Sequence, residues 1–317
     1  MTVRGVVLNE NRQLIVGEVP EPAPAPDEAI VRVQAVSLNR GELKRARSGA
    51  PGTRPGWDFA GVIEVPAPDG SGPAAGDVVA GLSMTGAAWS DRIGAKTKNI
   101  AVVPAGVTVE QAACLPIAGL TALHALRQSG ALLGKRVLVT GATGGVGHFA
   151  CALARLSGAH VVAAVRRKSQ REAVLGFGAH EVVASDDASN STPEKGSFDL
   201  VLESIGGRSI EGSLRALKQG GTCVAYGATG DDEGVFEVEP FFKAGGLKLY
   251  GLNLFYELNT VESASIGLGR ILAMTAAKQL MPHIQKVGQL QQIAELGRDV
   301  LERKIEGKVV VRLGTSP

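Results

Sequence analysis

The sequence predicts an α/β protein in which a doubly wound parallel sheet is inserted into a β-rich domain. Residues 1–103 contain short β-segments divided by glycine and proline, whereas residues 136–253 alternate apolar strand candidates with amphipathic helices. Such alternation is typical of a parallel sheet that helices cover on both faces. A last strand candidate, Lys308–Arg312, follows a helical stretch. We therefore expect the carboxyl terminus to return to the β-rich domain.

The composition limits the classes of function that the chain can serve. It has 317 residues, 44% of them hydrophobic, enough to bury one sizeable core or two. Lys and Arg number 33 against 31 Asp and Glu, which argues against a nucleic-acid partner or a polybasic membrane surface. The amino-terminal MTVRGVVLNE lacks the apolar core of a signal peptide, and no apolar run approaches the roughly 20 residues that span a bilayer. We expect a soluble cytoplasmic protein without a membrane partner.

The amino-terminal region predicts a compact, mostly β domain. Its strand candidates are bounded by turn residues: Arg4–Leu8, Gln13–Val19, Ala29–Leu38, Gly61–Val65, Asp77–Ala80 and Asn99–Val103. The proline-rich 20–26 is interpreted as a stiff connector rather than a polyproline ligand. Near Val107 the pattern changes to helix, because Thr108-Val-Glu-Gln111 fits a capping box and Pro116 suits a helical first turn.

The alternating region predicts the parallel sheet. Its strand candidates are RVLVT, HVVAAV, EVVA, FDLVLES, TCVAY and LKLYGLN. Helices are predicted at Val146–Ser157, Ser169–Phe177 and Arg208–Gln219, then at Val261–Gln279 and Ile293–Arg303. We place the sheet domain at residues 118–256 and the β-rich domain at residues 1–117 and 257–317.

The strongest chemical signal is VLVTGATGGVG, residues 137–147, where a buried strand ends in a glycine-rich turn that opens into a helix. Glycines there leave room for a phosphate at the helix amino terminus, whose free N–H groups favour an anion. The context of strand, loop, helix and second strand predicts a Rossmann dinucleotide site. The residues predicted to contact the cofactor in this loop are Gly141, Thr143, Gly144, Gly145, Val146 and Gly147.

The second strand of the sheet indicates which dinucleotide binds. HVVAAV ends at Val165, where an NAD enzyme carries an acidic residue for the ribose hydroxyls. This chain has Arg166 and Arg167 there, and guanidinium groups match a ribose 2′-phosphate. The sequence therefore predicts NADPH as the cofactor.

Several segments together resemble the zinc-independent quinone oxidoreductase and enoyl reductase branch of the medium-chain dehydrogenase/reductase superfamily. They are PEPAPAPDEAIVRV, AVSLNRGE, PGWDFAGVIE, AAGDVVAGL, CLPIAGLTALHAL, ATGGVG, FDLVLESIGG, LKQGGTCVAYG and GKVVVRL. The resemblance spans nearly the whole chain. It implies that the β-rich domain is GroES-like, with the Rossmann domain inserted in it and a cleft between them.

The positions that match the zinc ligands of metal-dependent relatives hold Asn39, Trp57 and Ile117, none a plausible zinc ligand. The closely spaced cysteines of the family's structural zinc site are also missing, since Cys114, Cys151 and Cys223 lie far apart. The resemblance therefore implies an enzyme without metal. Its substrate must accept hydride through its own conjugation, as a quinone or the C=C bond of an α,β-unsaturated carbonyl does.

By resemblance, Asn39 lies beside the nicotinamide and is our predicted catalytic donor, whose amide could hold the substrate carbonyl or a cofactor ribose. A turn-forming role at the end of the strand is the alternative. Relatives often carry a tyrosine a few residues later, but here the sequence is NRGELKRARSG. We therefore predict that water or Lys44 protonates the product. Substrate contacts are predicted for Trp57, Arg45, Asn253 and Phe255.

A basic run comprises Arg40, Lys44, Arg45, Arg47 and Arg54. A solvated helix face is one interpretation of it. Since the resemblance places the run at the mouth of the cleft, the other is that it attracts an anionic substrate such as a carboxylate, a phosphate or an acyl thioester on a carrier.

The resemblance also implies further cofactor contacts and a partner. The contacts are Thr121, Ser204, Gly206, Tyr226, Gly227, Leu252, Asn253 and Lys308. A homodimer is expected through pairing of the exposed strand in LKLYGLNLF. Two other classes stay open because the tyrosine is missing: a non-catalytic NADPH-binding or redox-sensing protein, and a metal-free carbonyl reductase.

Overall fold

The computed structural model describes residues 1–186 and 194–314. The chain forms two compact units, one of residues 1–120 and 258–317 and the other of residues 121–257. The first boundary therefore falls after Leu120 instead of residue 117, and the second after Glu257 instead of residue 256. Among the described residues, none of the helices has the length and apolar character needed to cross a bilayer.

The elements follow one another along the chain with β-structure first and alternating structure second. The strands are β1 Thr2–Leu8, β2 Leu14–Pro20, β3 Glu28–Leu38, β4 Asp58–Val65, β5 Val78–Leu82, β6 Arg92–Lys96, β7 Ile100–Val102, β8 Arg136–Thr140, β9 His160–Val165, β10 Glu181–Ala184, β11 Phe198–Glu203, β12 Leu217–Ala225, β13 Lys248–Gly251, β14 Ile284–Gln289 and β15 Lys308–Arg312. The helices are α1 Arg40–Arg47, α2 Val109–Ala113, α3 Pro116–Arg127, α4 Gly147–Leu156, α5 Arg171–Gly176, α6 Arg208–Ala216, α7 Val238–Lys243, α8 Leu254–Thr260, α9 Ala264–Ala276 and α10 Ile293–Leu301.

The first unit is organised around the long strand β3. This strand pairs antiparallel with β4, β6 and β15, while β14 joins β15 in parallel at one edge of the sheet. Alternate side chains of β3 enter an apolar core that includes Val31, Val33, Phe59 and Trp89. The return of the carboxyl terminus to this sheet confirms the predicted placement of Lys308–Arg312.

Two strands of the first unit were not predicted, and both depend on tertiary pairing. In β6, RIGAK, only Ile93 and Ala95 are buried, and the strand is held by its register with β3. In β14, IQKVGQ, polar side chains dominate and the parallel partner β15 supplies the hydrogen bonds. Short polar segments of this kind give too weak a period for prediction from sequence.

The second unit is a parallel sheet in the order β10-β9-β8-β11-β12-β13. With β8 counted as the first strand, this is the Rossmann order, so the predicted fold class is confirmed. The buried strands β8 and β9 coincide with RVLVT and HVVAAV. One prediction was wrong, because Leu217–Gln219 belongs to β12 and not to the preceding helix. Leu217 there pairs with Phe198 of β11, a contact that helix propensity does not reveal.

Candidate functional site

The glycine loop of the second unit leaves no room for a Cβ atom at two of its positions. Gly141, directly after β8, has a φ of +59°, and a Cβ there would lie 2.6 Å from the Ser204 Oγ atom. A Cβ on Gly147 would lie 2.3 Å from the Gly141 carbonyl oxygen. The loop therefore requires glycine at both positions, which lets β8 pass directly into α4.

The amino terminus of α4 suits a cofactor phosphate. Its N-cap is Val146, whose apolar side chain caps none of the first N–H groups of the helix. Thr143, Gly144 and Gly145 precede it and are partly exposed. Uncapped N–H groups and the helix dipole favour an anion at such a place. The residues present therefore fit the diphosphate of a dinucleotide cofactor.

A buried carboxylate that the sequence analysis missed holds the neighbouring loop. Glu203, at the end of β11, accepts hydrogen bonds from the N–H groups of Ile205 and Gly206 at 2.6 and 3.0 Å. Its other oxygen accepts from the hydroxyls of Ser209 and Ser213 at 2.8 and 2.7 Å. Four donors satisfy this side chain, which is fully buried, so the loop is fixed without water.

The loops that follow the parallel strands are joined to one another. Ser204 Oγ donates to the Thr140 carbonyl oxygen at 3.1 Å, and Tyr226 N–H donates to the Glu203 carbonyl oxygen at 3.0 Å. Leu252 N–H in turn donates to the Ala225 carbonyl oxygen at 2.8 Å. The structure thus brings to one edge of the sheet the predicted cofactor residues Gly141, Thr143, Gly144, Gly145, Val146, Gly147, Ser204, Gly206, Tyr226, Gly227 and Leu252.

The predicted basic turn follows β9 at the same edge of the sheet. Arg166 and Arg167 are both exposed. No side-chain partner holds the Arg166 guanidinium among the residues that the structure describes. The position after β9 therefore presents cations where an NAD enzyme presents an acid.

Three other predicted contacts of this unit have local structural explanations. Asn253 directly precedes α8, and its Oδ1 atom accepts from the Tyr256 N–H at 3.1 Å as a cap does. Phe255 is half-buried within α8, and Thr121 is a buried residue of α3. Their contacts with substrate or cofactor stay predictions.

In the first unit, Asn39 belongs to a buried polar cluster, defined here as Ser37, Asn39, Glu42, Asp58 and Lys308. The Asn39 amide nitrogen donates to Asp58 Oδ2 at 2.7 Å and to Glu42 Oε1 at 3.1 Å. Its oxygen accepts from the Lys308 ammonium at 2.7 Å. Both amide N–H groups are therefore occupied, and donation to a substrate carbonyl would require one of these bonds to break.

The Lys308 ammonium lies inside this cluster, and its contact with the cofactor stays a prediction. Its side chain is only 1% exposed, and the nitrogen lies 3.5 Å from Asp58 Oδ2. Asp58 also accepts from the Ser37 hydroxyl at 2.6 Å and the Ile117 N–H at 2.8 Å. A buried cation surrounded by these partners compensates a buried carboxylate.

Glu42 carries the second carboxyl group of the buried polar cluster. Its oxygens accept from the N–H groups of Asn39 and Trp57 at 2.7 and 2.5 Å. Burial and the nearby Asp58 carboxylate raise the pKa of Glu42, whereas the two N–H donors and the Lys308 ammonium lower it. The net result is a pKa of about 8. The side chain is therefore mostly protonated at neutral pH.

The positions that match zinc ligands do not fit a zinc ion. Asn39 offers an amide whose oxygen is bound to an ammonium, Ile117 offers only a backbone N–H, and the Trp57 ring packs towards Gly41. Zinc prefers thiolate, imidazole or carboxylate ligands and is repelled by a neighbouring cation. The donors present are thus wrong for this metal in type and in charge.

The thiols are unsuited to act as nucleophiles. All three cysteines are buried, and burial raises the pKa of Cys114 and of Cys151 to about 12. A protonated buried thiol is inert.

The basic run divides into structural and exposed residues. The Arg40 guanidinium donates to the carbonyl oxygens of Val300 and Leu301 at 3.2 and 2.6 Å, at the carboxyl terminus of α10. A cation is favoured there by the helix dipole, so Arg40 is explained without a ligand. Lys44, Arg45 and Arg47 are exposed in the last turn of α1.

Comparison with known proteins agrees with this architecture. A family model described as alcohol dehydrogenase GroES-like domain matches residues 25–125, and one described as zinc-binding dehydrogenase matches residues 145–265. The quinone oxidoreductase of Mus musculus is 31% identical over 68% of this chain and 69% of its own length. The putative quinone oxidoreductase YhfP of Bacillus subtilis (strain 168) is 29% identical over 67% of this chain and 65% of its own length.

Solved structures with the same fold cover almost the whole chain. The quinone oxidoreductase from Coxiella burnetii has a TM-score of 0.83 at 22% identity and covers 99% of this chain and 100% of its own. A structure described as an NAD-dependent alcohol dehydrogenase has a TM-score of 0.84 at 25% identity and covers 98% of this chain and 100% of its own. The chain belongs to the medium-chain dehydrogenase/reductase superfamily, in its quinone oxidoreductase branch. The family implies a nicotinamide cofactor and an oxidoreductase activity.

The protonation of Glu42 predicts a pH dependence of stability. Its folded pKa of about 8 lies above the ordinary 4.5, so between these values the folded state binds a proton that the unfolded state has released. The free energy of unfolding should then fall as pH rises from about 5 to 8, by at most about 1.4 kcal/mol per pH unit. Urea denaturation at several pH values measures this slope.

In the Glu42→Gln variant the slope should be flatter, because an amide does not titrate. Glu10→Gln, an exposed glutamate of the same unit, serves as the matched control and should keep the wild-type slope. Parallel curves for wild type and Glu42→Gln would contradict the assignment.

Proposed function

We propose that this chain is an NADPH-dependent oxidoreductase that transfers hydride, without a metal, to a quinone or to the C=C bond of an α,β-unsaturated carbonyl. The observation that carries the proposal is the Lys308 ammonium bound to Asn39, at a position where metal-dependent relatives place a zinc ligand. A zinc ion can activate an alcohol or a simple ketone as a Lewis acid, whereas a conjugated acceptor spreads the developing charge onto its own oxygen and can be stabilised by hydrogen-bond donors.

The preference for NADPH rests on the turn after β9. Arg166 and Arg167 are exposed there, and guanidinium groups bind phosphate through charge-assisted hydrogen bonds. The glycine loop and the amino terminus of α4 would hold the diphosphate, and the Ser204–Gly206 loop fixed by Glu203 would contact the rest of the dinucleotide. When bound, the cofactor supplies the hydride.

The chain's own residues are assigned the tasks of charge stabilisation and proton supply. Of the two amide N–H bonds of Asn39, the one to Glu42 is the longer, at 3.1 Å against 2.7 Å to Asp58. We assign that N–H to the substrate carbonyl, with the amide held in place by Asp58 and Lys308. Lys44, exposed on α1, or water would supply the proton. Trp57 is kept as a substrate contact.

Turnover measurements test the proposed reaction. NADPH consumption is followed with a panel of quinones, enones and saturated ketones, before and after dialysis against a chelator. We expect turnover of the conjugated acceptors alone and no loss of rate on metal removal. Cofactor binding without turnover of any acceptor would favour the sensor class. Turnover of saturated ketones would favour a carbonyl reductase. Loss of rate after dialysis would refute metal independence.

The cofactor preference is tested by removing the exposed guanidinium groups. The double variant Arg166→Ala/Arg167→Ala should bind NADPH at least about tenfold more weakly and leave the Kd for NADH nearly unchanged. Arg155→Ala is the control, because it removes one positive charge in the last turn of α4, at the opposite end of that helix from the glycine loop. Isothermal titration calorimetry gives the Kd of both cofactors for the wild type and each variant. Equal weakening of both cofactors would contradict a 2′-phosphate site.

The exposed cations of α1 are proposed to attract anionic acceptors, including acyl thioesters on a carrier. Arg45→Glu/Arg47→Glu should raise KM for an acceptor with a carboxylate or phosphate several-fold and spare a neutral quinone, and high salt should weaken the difference. Steady-state kinetics with a charged and an uncharged acceptor of the same reactive group provides the comparison. Equal effects on the KM of both acceptors would contradict the proposal that these cations attract anionic acceptors.

A homodimer is proposed through β13, the edge strand of the parallel sheet. Leu249 on this strand is 42% exposed, an unusual placement for a leucine on an unprotected sheet edge. Pairing of two copies about a two-fold axis would cover both edges. Leu249→Lys should convert a dimer to a monomer in light scattering coupled to size-exclusion chromatography. A monomeric wild type would refute the proposal.

A further inference from the structure

Gln170 connects two loops of the second unit through a buried side chain. It lies between β9 and α5 and is only 4% exposed. Its Oε1 atom accepts from the N–H groups of Arg166 and Arg167, both at 3.0 Å. Its Nε2 atom donates to the Thr143 hydroxyl in the glycine loop at 3.3 Å. Because only the amide oxygen can accept the two N–H groups, the orientation of this side chain is fixed.

The basic turn is also held from its other side. Asp186, after β10, accepts from the Lys168 N–H at 2.9 Å, and its own N–H donates to the Arg166 carbonyl oxygen at 3.1 Å. Gln170 N–H donates to the Arg167 carbonyl oxygen at 3.0 Å. The backbone N–H groups of residues 166, 167 and 168 are thus all occupied by side-chain acceptors.

This occupation determines how the turn can bind a phosphate. With no N–H group of residues 166–168 left to donate, an anion must be held by the exposed side chains of Arg166, Arg167 and Lys168. Their directions follow from the backbone that Gln170 holds. The diphosphate and the 2′-phosphate are joined by covalent bonds within one molecule, which limits the distance between them. The glycine loop and the basic turn must therefore lie at a matching distance if both are to bind that molecule.

We propose that Gln170 is a positioning residue that sets the preference for NADPH over NADH by tying the Arg166–Arg167 turn to Thr143. The proposal rests on the cofactor preference proposed above. Gln170 itself is buried and does not contact the phosphate. A residue that only stabilised the fold would affect both cofactors alike, whereas a positioning residue acts on the one that carries the 2′-phosphate.

The test compares the Kd values of NADPH and NADH, by calorimetry, in the wild type and in Gln170→Leu. The leucine side chain keeps the buried volume approximately and removes all three hydrogen bonds. We expect the Kd ratio of NADH to NADPH to fall about tenfold, with the Kd of NADH changing less than about twofold. Gln128→Leu is the matched control, since the Gln128 side chain, directly after α3, donates to the His124 carbonyl oxygen, and its ratio should stay at the wild-type value.

Thr143→Val removes the same tether from its other end and should lower the ratio as well. Combining both variants should lower it no further than the larger single effect, because both break one connection. If Gln170→Leu does not fold, the Thr143→Val ratio decides by itself. An unchanged ratio in the variants, or equal weakening of both cofactors, would overturn the role of Gln170 while leaving the NADPH preference standing. A wild type that binds both cofactors equally would refute that preference and this inference together.

Discussion

The direct passage of β8 into α4 is the constraint on which the second unit depends. A side chain at Gly141 or Gly147 would collide with Ser204 or with the loop's own backbone, so the crossover exists only where both lack a Cβ. No side chain caps the amino terminus of α4 that follows this crossover, and the positive end of the helix dipole there favours an anion. One geometric requirement therefore shapes the sheet edge and the phosphate site together.

Around this crossover, buried polar side chains carry the loops that a cofactor must meet. Glu203 makes two hydrogen bonds to the loop after β11 and two to α6. Gln170 makes two to the turn after β9 and one to the glycine loop. Each is nearly inaccessible to water, so its hydrogen bonds have little competition and hold one arrangement. Loops held in this way lose less conformational entropy when a ligand binds.

The first unit also contains buried polar side chains that bind one another. The Lys308 ammonium donates to the Asn39 amide oxygen at 2.7 Å and lies 3.5 Å from Asp58 Oδ2, so a cation and a carboxylate are buried together. Burial and the nearby Asp58 carboxylate raise the pKa of Glu42 and favour its protonated form, because a second buried carboxylate next to Asp58 would be left without a cation of its own. Under the proposed function, this cluster would orient a conjugated acceptor and donate a hydrogen bond to it.

The sequence by itself determined the features that depend on neighbouring residues: the buried strands β8 and β9, the glycine loop, the basic residues after β9 and the capping box at Thr108. The sequence analysis missed one further local signal. Glu42 follows Asn39 by three residues, the spacing at which a capping-box glutamate accepts from the N–H of the N-cap residue. Only the tertiary structure decided that Lys308 lies beside Asn39, 269 residues away along the chain, that Gln170 reaches Thr143, and that Leu217 extends a strand. The physical reason is that a buried polar group takes whichever partner the packing brings within 3 Å or so, and no periodicity records that choice.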